Sequence, residues 1–151
     1  MSKIVLLDSG PLGMVTTPKA KSPLYQECKV WFNSLEPKGY TVMLPEIADY
    51  EVRRELLRAN KLMGIQRLDE LKAILTYRPL TTETMLKAAE FWAEARRRGR
   101  PTADPKALDG DVILAAQAAL VADEGNEVII ATTNVGHLSQ FVDAREWRLI
   151  Q

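Results

Sequence analysis

A short apolar run, Ile4-Val5-Leu6-Leu7, ends on a charge, Asp8, and breaks at once into Ser9-Gly10-Pro11-Leu12. Such a run, bounded by turn formers, reads as a buried strand of the kind that parallel sheets contain. A carboxylate at the carboxyl end of that strand does nothing for packing. In open parallel sheets, that rim is where ligands and metals sit. The plainer alternative is that Asp8 caps the helix that follows, a role Asp fills well.

The rest of the chain alternates in the same way. Residues 3–7, 40–44 and 127–132 read as strands, with shorter ones at 77–80 and 147–150. Helices are expected from Ser22-Pro23 to Leu35, over 46–60 with Val52, Leu56 and Ala59 as its apolar stripe, over 62–75, from Thr81 or Thr82 to Gly99, and over 109–123. Residues 100–107 read as a loop. Strands alternating with helices predict an α/β fold: a mostly parallel central sheet of four to five strands flanked by helices. With 151 residues and no linker or repeat, one domain spanning 1–151 is expected.

Composition excludes more than it selects. Lys+Arg and Asp+Glu are 20 each, so only the placement of charge can point to a partner. Cys28 is the only cysteine, which rules out an internal disulfide or a multi-cysteine zinc site and suits a reducing cytoplasm. No run is long enough for a membrane span or a signal peptide. Gly10 and Gly13 have the wrong spacing for a dinucleotide fingerprint, and no phosphate-binding loop is present. Ser9 and Ser139 lack a nucleophile-elbow context.

What remains is acid. Besides Asp8 there are two further clusters: Glu51 with Glu55 on one helix, and Asp109 with Asp111 at the start of another. Several carboxylates and a single histidine, His137, favour a hard cation with oxygen ligands, Mg²⁺ or Mn²⁺. Each acid also has a structural explanation. Asp109 can be an N-cap inside a Leu108/Ile113 hydrophobic staple, with Asp111 in the first turn facing the helix dipole. Glu51 and Glu55 can pair with Arg53, Arg54 and Arg58 on a solvated face, and periodicity does not choose between them. His137 can be ordinary polar surface. Thr132-Thr133-Asn134, after an apolar strand, is either a turn or the lip of a site.

Taken together, these segments resemble the PIN-domain family, in particular its small VapC-type toxins. The residues that carry the likeness are IVLLDSGPL from Ile4, VMLPEIADYEVRREL from Val42, DVILAAQA from Asp111 and IATTNVGHLSQF from Ile130. The resemblance implies a Mg²⁺- or Mn²⁺-dependent endoribonuclease. Asp8, Glu51, Asp111 and Asn134 would be its catalytic residues, and Asp8, Glu51 and Asp111 its metal ligands, with Asp109 in support. It also implies an RNA substrate, a cognate antitoxin, a homodimer and a cytoplasmic location. Where many members carry an Asp three residues after the Asn, this chain has His137, so a fourth acid would have to come from Asp109 or Asp104. An anionic substrate calls for cations near the cleft, with Arg53, Arg54, Arg58 and the run Arg96-Arg97-Arg98-Gly99-Arg100 as candidates.

Overall fold

The structure is a computed structural model that describes residues 2–18, 22–99 and 105–151, the side chains of 105–108 excepted. Five strands form one sheet: β1 (Lys3–Leu7), β2 (Tyr40–Pro45), β3 (Thr76–Arg78), β4 (Glu127–Thr132) and β5 (Ala144–Glu146). Their order is β3-β2-β1-β4-β5, and every pairing is parallel. β1 is central, with Val5 opposite Val42 on one side and Ile129 on the other. A central strand has no solvent face, which is why its four apolar residues run without alternation.

The pleat divides that run between two cores. Val5 and Leu7 face a core shared with α1 (Ser9–Thr16), α2 (Pro23–Ser34), α3 (Glu46–Arg58) and α4 (Leu62–Ile74). Ile4 and Leu6 face the other, built chiefly from α6 (Pro105–Asp123) and α7 (Val135–Leu138), with α5 (Thr82–Arg97) packed outside α6. Trp31 and Trp147 close the end of the first core with ring centroids 5.5 Å apart, and Trp31 Nε1 donates to the Ile150 carbonyl at 3.0 Å.

Three elements are displaced from expectation. α6 starts at Pro105, so residues 105–107 are helix and not loop, while 100–104 lie outside the described residues. Proline at the first helical position is a normal start, because its missing N–H has no partner there anyway. Asp109 is therefore no N-cap, and a Leu108/Ile113 staple has no helix start to clamp. The third strand covers 76–78, not 77–80. The last strand is Ala144–Glu146, and Trp147–Leu149 is a 3₁₀ turn. Trp147 and Ile150 both point inward while Leu149 is 70% exposed, an i, i+3 pattern that a strand cannot produce. On α3, Val52 is buried and Leu56 partly so, but Ala59 lies outside the core, exposed to the cleft described below.

One buried polar side chain ties the layers together. The Gln117 carbonyl oxygen accepts from Ile47 N at 3.4 Å, and its amide donates to the Arg78 carbonyl at 2.8 Å. It thereby joins α6 to the start of α3 and the end of β3. Gln117→Leu, of similar size, leaves these backbone groups without a partner and is expected to cost about 1–3 kcal/mol. Urea unfolding with an unchanged midpoint would show that the bonds contribute nothing.

Candidate metal centre

Because every strand runs the same way, the carboxyl ends of all five share one edge. Asp8 lies in the middle of it. Asp8 Oδ1 accepts from Ser9 N at 2.7 Å and starts α1, while Oδ2 accepts from Thr132 Oγ1 at 2.7 Å, at the end of the neighbouring strand. Thr132 Oγ1 in turn accepts from Asn134 N at 2.9 Å. Asp8 is thus a cap and a rim group at once. Capping uses one lone pair of a carboxylate that has about four.

Glu51 approaches from α3. Its carboxylate rests on α6 where Gly110 leaves room: a Cβ there would stand 2.8 Å from Glu51 Oε2. Burial, then the negative charge of Asp8, pushes the Glu51 carboxyl up to about 7 from its usual 4.5; Arg54 opposes this and Asp111 adds to it. Glu55, one turn on, is exposed and pairs with Arg58 at 2.9 Å. Periodicity left the two glutamates equivalent; packing against Gly110 separates them. Glycine inside a helix costs up to about 1 kcal/mol relative to alanine. Gly110→Ala is therefore expected to raise stability by an amount of that order while pushing the Glu51 carboxylate aside and weakening Mn²⁺ binding. Calorimetry showing unchanged Mn²⁺ affinity in this variant would mean that the Glu51–Gly110 contact has no bearing on a cation.

Asp111 comes from the same helix, well past its first turn, where the helix dipole no longer explains an acid. Burial, then the charge of Asp8, pushes its carboxyl up to about 6, and His137 works against the rise. Its Oδ2 is buried and has no hydrogen-bond partner, although His137 Nδ1 stands 3.3 Å away. That nitrogen also lies 2.8 Å from Asn134 Nδ2. Which contact the ring makes follows from its tautomer: Nδ1 donates to Asp111 when it carries a proton and accepts from Asn134 when it does not.

Asp109 does not join this group. Two residues before Asp111 it projects about 200° away around the helix, into a separate cavity beside Met85, Trp92 and Ile113. Asp104 and Arg100 lie outside the described residues.

The donors suit a hard divalent cation: three carboxylates from three elements, two of them held above their ordinary range partly by Asp8, and a buried oxygen without a partner. Among the described residues no group of three or more acidic, histidine or cysteine side chains could together hold a metal ion. That is compatible with Mg²⁺, which keeps several waters and commonly uses only one or two carboxylates.

A cleft of about 490 Å³ opens beside Glu51, lined by Ser9, Gly10, Arg54, Glu55, Arg58 and Lys61 among others. Arg53 is turned elsewhere, bound to buried Asp49 at 3.0 Å and to Asp69 at 2.8 Å. Of the arginine run at the end of α5, Arg96 lies over Trp92 and Arg98 pairs with Glu94 at 3.7 Å; neither lines this cleft. Lys61 and Gly110 were not singled out by sequence. Thr132 was seen there only as part of a polar lip.

No family model and no curated protein matches the chain by sequence. Solved structures match it by shape. A VapBC-1 structure from nontypeable Haemophilus influenzae aligns with TM-score 0.69 at 13% identity, covering 96% of this chain and 98% of that one. This is a PIN-like fold. VapBC2 from Rickettsia felis, solved bound to a DNA fragment from its promoter, aligns with TM-score 0.68 at 16% identity over 94% and 97% of the two chains. DNA-bound VapBC from Salmonella typhimurium aligns with TM-score 0.61 at 16% identity over 97% and 99%. In this PIN-like chain, as in parallel sheets generally, the carboxyl edge gathers the polar groups. Among the described residues no helix is long and apolar enough to cross a membrane.

Proposed function

We propose that this chain is a metal-dependent endoribonuclease of PIN type and the toxin of a toxin–antitoxin pair. The observation that supports the reading is that the charge of Asp8 helps to raise the carboxyls of both Glu51 and Asp111, which come from two different helices. Asp8, Glu51 and Asp111 would hold Mg²⁺ or Mn²⁺, which when bound polarises a phosphate oxygen and activates water. Thr132 fixes the Asp8 carboxylate, and Gly110 leaves space for that of Glu51. Asn134, exposed at the start of α7, would orient a phosphodiester. Arg54, Arg58 and Lys61 along the cleft supply cationic contacts for the RNA backbone.

The partners belong to the same proposal. The similar solved structures are VapBC assemblies, and on that likeness a cognate antitoxin is the expected partner. Homodimerisation and a cytoplasmic location are proposed with it. The direct test is incubation of the purified chain with a mixed RNA pool in Mn²⁺, in Mg²⁺ and in chelator. Cleavage that requires the metal is expected; a wild type that cuts no RNA under any of these conditions overturns the enzyme reading. His137 in place of a further acid favours one alternative, a PIN-like module that binds RNA but cleaves poorly. Equal RNA binding by wild type and Asp111→Asn, with no cleavage by either, would select it.

A further inference from the structure

We propose that Asp49 and Tyr77 are positioning residues for the metal centre: their contact sets the rotation of α3 and thereby the place of the Glu51 carboxylate. The inference rests on the metal-centre reading above and adds to it the side chains that hold one of its acids in place.

Asp49 lies two positions before Glu51 and Arg53 two positions after it, so each projects about 200° round the helix from Glu51. On that opposite side Asp49 is buried, with 5% exposure. Its Oδ2 accepts from the Tyr77 hydroxyl, on β3, at 3.2 Å, and its Oδ1 accepts from Arg53 Nε at 3.2 Å. Arg53 reaches on to Asp69 of α4 at 2.8 Å, and Lys72 of α4 lies 4.8 Å from the centre of the Tyr77 ring. Burial, then the charges of Asp49 and Glu46, push the Tyr77 hydroxyl up, so it keeps its proton and donates. Both oxygens of Asp49 are thus held, one from the sheet and one from an arginine that is itself tied to the next helix.

Stability is a poor reason for this arrangement, because a buried ion pair contributes little that well-packed apolar side chains would not. What it supplies is direction. Ala48 and Val52 also anchor α3 to the core, but hydrophobic contact is non-directional. A hydrogen bond weakens steeply as its angle closes. Glu46 Oε1 accepts from Leu80 N at 2.6 Å and Ile47 N donates to Gln117, which fixes the start of the helix. Asp49 and Arg53 bracket Glu51 itself. The leverage is large: a turn of about 10° moves a group about 6 Å from the helix axis by about 1 Å, twice the tolerance of about 0.5 Å that a working site allows. On its other side the Glu51 carboxylate already rests against α6 at Gly110.

Tyr77→Phe removes the hydroxyl and changes no charge, so it tests position and not field. Mn²⁺ affinity is read from the electron paramagnetic resonance of free Mn²⁺, in wild type and in Glu51→Gln, which keeps Asp8 and Asp111. Urea unfolding in chelator is followed in parallel. Tyr77→Phe is expected to weaken Mn²⁺ binding about three- to tenfold when Glu51 is present and to leave it unchanged in Glu51→Gln. Its shift of the urea midpoint should be the same in both backgrounds. Arg53→Lys is the second variant, should Tyr77→Phe not fold. It keeps the charge but not the fork that reaches both Asp49 and Asp69, and is expected to act in the same direction. Unchanged Mn²⁺ affinity in the variants, or an equal loss with and without Glu51, would show that the network serves stability alone; the metal-centre reading would stand and the positioning role would fall. A wild type that binds no Mn²⁺ would bring down both.

Discussion

Asp111→Asn is expected to abolish RNA cleavage while leaving the fold at least as stable as wild type at neutral pH. Usually a variant loses activity and stability together, so this opposition is diagnostic. Asp111 caps nothing, sits beyond the reach of the helix dipole, and has a buried oxygen that accepts no hydrogen bond. Its carboxyl is pushed up to about 6 from 3.8, by burial first and by Asp8 second. A group whose folded pKa lies above its ordinary value favours the fold while protonated, and that contribution is lost as pH rises through the folded value. Wild type therefore loses this contribution between about pH 4 and 6, and the neutral amide does not. The melting-temperature difference between variant and wild type should grow in the variant's favour across that window and then level off. A variant that cleaves like wild type removes Asp111 from the chemistry. One that is much less stable at every pH gives it a structural role instead.

The second large effect concerns the metal-free wild type. As Glu51 ionises through its raised value of about 7, against an ordinary 4.5, two like charges face it from Asp8 and Asp111. Stability of the protein in chelator should fall as pH rises from about 4.5 to about 7. A divalent cation bound only by the folded state reverses this. At a hundred times its Kd it contributes about 2.7 kcal/mol, and each kcal/mol moves the melting temperature of a domain this size by roughly 2–4 °C. Mn²⁺ should therefore have little effect near pH 4.5, where it must displace protons, and raise the melting temperature by roughly 5–10 °C at pH 7.5. Curves in Mn²⁺ and in chelator that coincide at every pH would mean that the acids serve the fold alone.

Local pattern made much of this visible in sequence. The uninterrupted Ile4–Leu7 run marks a strand buried on both faces, and Asp8 could be placed at its carboxyl end by counting. Tyr40–Pro45 and Glu127–Thr132 were equally plain, because proline or polar residues stop apolar runs of strand length. Whatever depends on a neighbour from elsewhere in the chain was hidden. Glu51 and Glu55 differ only in whether Gly110, on another helix, stands beneath them. Asp109 itself misled, since aspartate is a good N-cap and Leu108 with Ile113 looked like its staple, and the start of α6 was set four residues late. Pro105 was the better signal. Asp109 looked like a partner for Asp111 because the two are close in sequence; the turn of the helix sends Asp109 into a cavity that Asp111 does not line. Gln117 and Thr132 look like ordinary polar residues until the backbone groups and carboxylate they satisfy are known.

Thr132 holds Asp8 across 124 positions of chain, and β4, which carries it, is inserted directly beside β1. A ribosome that has made the first hundred residues has already produced Asp8 and Glu51, but the strand that flanks β1 on its other side is still unsynthesised. No nascent or truncated fragment that ends before Thr132 can hold Asp8 in this way. For a protein proposed to cut RNA inside the cell that makes it, this order of assembly would delay competence until β4 has been made. A partner present at that moment could meet it before any substrate does.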